Sequence, residues 1–140
     1  MLDQRVDPTG SSGILEPRFH PPGDTSDSHR PAVSTQATKT VTAGVGGQKR
    51  VLTALSFHIG GSALAATTVG CFAIDGASGT TTYRWQEVMT VDSTGGRIVV
   101  TGLNIVCAEN TALTVEFDRA VTGGYESVNF TYHTIGGTGT

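Results

Sequence analysis

The sequence predicts an all-β protein, an antiparallel β-sandwich or jelly roll of about eight strands preceded by an extended N-terminal arm. Three observations predict it. Apolar and polar residues alternate repeatedly from residue 37 onward, the mark of strands with one buried face. Glycine clusters interrupt the alternation at short intervals, as turns between antiparallel strands require. All five prolines lie within the first 31 residues, so one end of the chain is barred from the regular hydrogen bonding that the other end invites.

Residues 1–36 are read as the arm. Pro8, Pro17, Pro21, Pro22 and Pro31 stand among Gly10, Gly13, Gly23 and a high share of Ser and Thr, which leaves extended and turn conformations. A plain solvated tail has little use for apolar side chains, yet Leu2, Val6, Ile14, Leu15, Phe19 and Val33 are spaced along it like beads. Burying such a bead returns about 1.5–3 kcal/mol. Fixing each backbone costs about 1–2 kcal/mol, and beads are far outnumbered by residues. The arm therefore gains order only with backbone hydrogen bonds to a neighbouring surface, as other extended recognition segments do. The residues expected to make the contact are Leu2, Val6, Ile14, Leu15 and Phe19, with Arg5, Arg18 and Arg30 pairing to carboxylates of the partner.

Residues 37–140 are read as the β domain, a normal size for one core. Thr38–Ala43 is the first strand expected. In Val51–Ile59, Val51, Leu55, Phe57 and Ile59 make one apolar face. Thr68–Ile74, Thr80–Met89 and Gly96–Thr101 follow as less regular strands, with Leu103–Cys107 a shorter candidate. Across Ala112–Asp118, Leu113, Val115 and Phe117 point one way and Thr114, Glu116 and Asp118 the other. Across Ser127–Thr134, Val128, Phe130 and Tyr132 point inward. Turns are expected at residues 44–47, 60–61, 75–79, 95–96 and 123–124, and Ala63–Ala66 is long enough for one helical turn. No internal repeat is evident.

Charge and composition exclude several classes. The net charge of −3 divides almost evenly between the two parts, and Lys39, Lys49 and Arg50 form the only basic cluster, so nucleic acid is not an expected partner. The start, Met1-Leu2-Asp3-Gln4-Arg5, lacks the basic and apolar regions of a signal peptide, and no stretch has the ~20 apolar residues that span a bilayer. Synthesis in a cytoplasm is expected, which makes the sequon Asn129-Phe130-Thr131 a chance match. Cys71 and Cys107 sit in apolar runs and read as small buried hydrophobes rather than as a disulfide.

No chemistry emerges from the motifs. His20, His29, His58 and His133 are not paired at metal-ligand spacing. Glu116 and Asp118 read as a solubilising strand face rather than a cation site. Gly44–Lys49 lacks the Gly-Lys-Ser/Thr ending and the following helix of a phosphate loop, and no nucleophile elbow or reactive-cysteine context appears. Catalytic residues, metals and cofactors are therefore none, and the protein is not expected to be an enzyme. Tyr83 and Trp85 share one face by alternation; facing inward they are core, facing outward a contact or glycan platform, and core is the better reading.

Gly46–Leu55, Gly102–Val106, Asn110–Phe117 and Glu126–Tyr132 together resemble the strand-and-turn order of small β-sandwich structural proteins of tailed bacteriophages, capsid decoration or cement proteins above all. The resemblance spans roughly residues 38–135 and carries no catalytic residue. It implies a jelly-roll homotrimer on the outer surface of the head, with the major capsid protein as partner. Two alternatives stay open: a tail-fibre or tail-associated glycan-binding module, and a head-tail connector or baseplate component.

Overall fold

A computed structural model describes residues 24–137 of the chain. It contains nine strands: β1 (Thr25–His29), β2 (Thr38–Val41), β3 (Gln48–Gly60), β4 (Thr67–Asp75), β5 (Tyr83–Val91), β6 (Gly96–Val100), β7 (Ile105–Val106), β8 (Leu113–Phe117) and β9 (Tyr125–Gly136). They form two antiparallel sheets, β1-β9-β3-β6 with β7 also on β3, and β2-β8-β4-β5. The pairs β1–β9, β2–β8, β3–β6 and β4–β5 are nested like the rungs of one long hairpin. Rolling that hairpin brings β3 against β9 and β4 against β8. This is jelly-roll connectivity, and it settles the strand order that local alternation leaves open.

Each expected strand is present. The one unexpected strand is β1, which lies inside the stretch assigned to the arm. Its sequence, Thr-Ser-Asp-Ser-His, has no apolar residue to signal a buried face. Backbone pairing holds it instead, from Thr25 opposite Tyr132 to His29 opposite Val128. The His29 ring then accepts the Thr38 N–H at 3.2 Å, and Asp24 meets the His133 ring at 3.0 Å. The first sheet therefore includes residues 25–29, which lie within the stretch read as the arm. The helical turn suggested for Ala63–Ala66 is not formed, because Ala63 takes a left-handed φ of 57° that an α-helix cannot contain. Leu64 is instead turned into the core.

The core lies between the sheets. Phe57 of β3 meets Phe117 of β8 edge-on at 5.2 Å and stacks on Trp85 of β5 at 5.7 Å, with Leu52, Leu55, Val69, Val115 and Val128 packed around them. Strict alternation fails in β3 at a bulge between Leu52 and Ala54. The extra residue, Thr53, donates its hydroxyl to the Thr131 carbonyl at 3.1 Å, which allows both Leu52 and Leu55 to face inward.

The expected solvated face of β8 is also corrected. Asp118 is exposed, but every residue of Leu113–Phe117 is buried, because β8 is an inner strand and the β4–β5 loop folds back over its outer side. Thr114 donates to the Gly76 carbonyl at 2.8 Å. Glu116 accepts from the Ser78 hydroxyl at 2.5 Å, the Thr38 hydroxyl at 2.9 Å and the Gly79 N–H at 3.3 Å.

At one end of the sandwich two crossovers meet on a second buried carboxylate. Glu126 is fully buried and accepts the Ala37 N–H at 2.8 Å and the Val121 N–H at 2.9 Å. Burial pushes its pKa above the usual 4.5, and the two N–H groups only partly oppose that shift. The folded state thus binds this proton more tightly than the unfolded chain. The stability it contributes is complete below about 4.5 and is lost as pH rises through the raised folded value.

Two predictions follow from these contacts. Chemical denaturation across pH should show the stability of the native protein falling relative to Glu126→Gln as pH rises above about 4.5, while Glu126→Ala, which orphans both N–H groups, should cost on the order of 3 kcal/mol at neutral pH. Gly95 sits at φ 114° with an added Cβ only 2.0 Å from the Ile59 carbonyl oxygen. Gly95→Ala should therefore lower stability by about 2 kcal/mol or more, read from the same denaturation curves.

Candidate functional site

Leu2, Arg5, Val6, Ile14, Leu15, Arg18 and Phe19, the residues expected to grip a partner, lie outside the described residues. Arg30 is the one that lies within them. It follows β1 directly, and its guanidinium stands 5.7 Å over the Tyr125 ring, so it is part of the corner between the sheets. The segment that carries the other seven joins the domain at Asp24, whose carboxylate and the His133 ring are both largely shielded from solvent, at 15% and 20% exposure. Beside it, Lys39 of β2 reaches Asp27 of β1 at 3.6 Å. A partly exposed pair of this kind adds little stability but bridges the two sheets where the segment departs.

Next to that junction the outer face of the first sheet is a shallow trough of about 430 Å³. Its floor follows from register. Ser28, Asn129, Ser56 and Val99 form one row across four strands. Ser26, Thr131 and Ala54 form the next, with Thr101 at its end. Outward positions on these strands hold small, mostly hydroxyl-bearing side chains, so the backbone lies near the surface. The surface can accept hydrogen bonds and close packing but offers no aromatic platform.

The aromatic pair singled out in β5 is divided. A bulge opposite Ala73 and Ile74 places Trp85 across from Ala73 and Tyr83 across from Ile74, leaving Arg84 as the extra residue. Trp85 therefore points inward onto Phe57, the core reading of that residue. Tyr83 turns outward and stacks on Phe72 at 4.5 Å. A strict period of two could not reveal this. The Arg84 guanidinium bonds Asp75 through Nε at 2.9 Å and Nη2 at 2.6 Å, which stabilises its charged form.

Cys71 and Cys107 are free and buried, and burial first of all pushes their thiols up to about 12 and about 11, so both are protonated at neutral pH. His58 is exposed, while His29 and His133 serve the junction of β1 described above. Among the described residues no three His, Cys, Asp or Glu side chains are grouped as metal ligands, and no helix is long and apolar enough to cross a membrane. Sequence reasoning missed Glu126 and the proximity of Glu116 to the β4–β5 loop, since a carboxylate on a strand carries no local sign that a distant corner will cover it.

No protein-family model and no curated protein matches the chain. Among solved structures, one chain of the cyanophage Pam1 capsid asymmetric unit is similar, at 20% identity and a TM-score of 0.39, over 91% of this chain and 99% of that one.

Proposed function

We propose that this chain is a virion structural protein, a decoration or cement protein that binds the outside of an assembled phage head through its N-terminal segment and acts as a homotrimer. The strand-and-turn resemblance of residues 46–55, 102–106, 110–117 and 126–132 motivates the class. One observation carries the mechanism: the sequence of the proline-rich, bead-bearing segment continues into β1, an edge strand clamped to β9 along its whole length. Whatever the segment grips is thus fastened directly to a sheet rather than to a loose loop.

The mechanism is thermodynamic. A protein that binds only the assembled lattice of the major capsid protein stabilises that lattice by linkage. Three segments brought to one site multiply contacts that are individually weak. The jelly roll supplies the body that carries the segment, its corners tied by the Glu116 and Glu126 networks. Trp85 is turned into the core, so a glycan platform in that region would rest on the outward pair Tyr83 and Phe72 alone.

The strand β1 fixes where the test must cut. Deleting residues 1–36 would remove a strand of the sheet together with the His29 and Asp24 contacts, and unfolding would be confused with loss of binding. Deletion of residues 1–23 should leave an intact domain by circular dichroism that no longer co-sediments with assembled heads. Undiminished co-sedimentation of that truncated protein would refute the role of the segment, and a copy number confined to a single vertex would favour a connector instead.

A further inference from the structure

β1 is held by backbone pairing and polar side-chain contacts. None of Thr25–His29 is apolar, none is fully buried, and none belongs to the core between the sheets. Lifting the strand from β9 therefore exposes no apolar side chain of its own, which places it at the low end of local stability in this domain. Everything its contacts need is present again on another copy of the chain. That copy offers the β9 ladder from Val128 to Tyr132, the Thr38 N–H that the His29 ring accepts, Lys39 for Asp27 and His133 for Asp24. A second copy is thus a partner on which β1 keeps every one of these contacts.

The connection from β1 to β2 is what differs between a closed chain and an exchanged one, and the closed form carries strain there. The chain reverses at residues 33–34, where Ser34 adopts φ 59°. Among the described residues nine glycines hold a positive φ, and Ser34 is one of three other residues that do; this chain ordinarily builds such turns on glycine, which has no Cβ to strain them. Residues 32–35 are exposed, so the turn can straighten without moving a core side chain. Straightening breaks the bonds from Ser34 N–H to the Gly124 carbonyl and from Gly123 N–H to the Ser34 hydroxyl. Because Ser34 is exposed, its departure admits water to both groups, whereas nothing in the closed turn relieves a left-handed serine. Pro31 fixes its own φ and biases Arg30 toward extended backbone, which suits the straightened path.

We propose that β1 is exchanged when copies of this chain associate: residues 24–29 of one copy pair with β9 of another, and Ser34 is the hinge. Short connections under strain favour exchange of this kind. The strand contacts are the same before and after, so joining the chains sacrifices none of them. Two copies close as a reciprocal pair and three as a ring. The proposal rests on the self-association put forward above and names the element that performs it. Each N-terminal segment would then start from a neighbouring copy's sheet, so that attachment and self-association share one strand.

The test introduces Ser28→Cys and Asn129→Cys together into the full chain. These residues are partners across β1 and β9 and both are exposed, within disulfide reach of each other, while the native Cys71 and Cys107 are buried. After oxidation, denaturing electrophoresis without reductant should show a covalent dimer or trimer whose size matches the native mass of the unmodified protein. Adding Ser34→Gly, which relieves the closed turn, should shift the product toward the intrachain disulfide by about five-fold or more. An intrachain bond alone, in a protein whose native mass is that of an oligomer, would overturn the exchange and leave self-association standing. An intrachain bond in a protein of monomeric mass would overturn both, and an interchain product indifferent to Ser34→Gly would overturn the hinge.

Discussion

Two crossovers, residues 30–37 and 118–124, carry the chain between the sheets at the same end of the sandwich, and both bring a backbone N–H to Glu126. Around that carboxylate the corners are tied again: Ser34 N–H to the Gly124 carbonyl at 2.9 Å, Gly123 N–H to the Ser34 hydroxyl at 2.8 Å, and Phe117 N–H to the Ala37 carbonyl at 3.1 Å. A buried carboxyl group is costly unless hydrogen-bonded, and here the same bonds that satisfy its oxygens also tie the two corners to each other. β1 enters one of these corners and β9 leaves the other. The strand that carries the N-terminal segment is thereby set by a carboxylate about a hundred residues further along the chain.

The two outer faces use polarity in opposite ways. On the second sheet Thr114 and Glu116 are outward by alternation yet buried, because the loop at residues 76–79 supplies hydroxyl and N–H partners to them. On the first sheet the corresponding rows, Ser28-Asn129-Ser56 and Ser26-Thr131-Ala54, have no covering loop among the described residues and form a trough. The thiols, which might have supplied chemistry, are spent as core volume. Among the described residues the buried side-chain polar atoms are hydrogen-bonded within the domain, Asp75 Oδ1 excepted.

The parts of this fold that were legible in the sequence are those where one strand face meets the core and the other meets water. β9 and much of β3 obey that rule, and their inward sets match. β1 was illegible because edge pairing is a backbone property, and Thr-Ser-Asp-Ser-His has nothing to bury. Expecting about eight strands was near the mark, but through an offset: β7 was included as a short candidate while β1, a true member of the roll, was absorbed into the arm. The bulges at Thr53 and Arg84 each reset the phase of alternation. That is why Leu52 was missed as core and why Tyr83 and Trp85 were placed on one face. Glu116 and Glu126 were misjudged or missed because their burial depends on corners brought in by the roll, which no local window contains.

Jelly-roll connectivity also places the two open features of the domain on opposite flanks. Each sheet lists its strands in parallel order, so β1 lies over β2 at one side and β6 over β5 at the other. The N-terminal segment leaves from the β1 side. The open edge of β5 is on the far side, separated from it by the full width of the sheets.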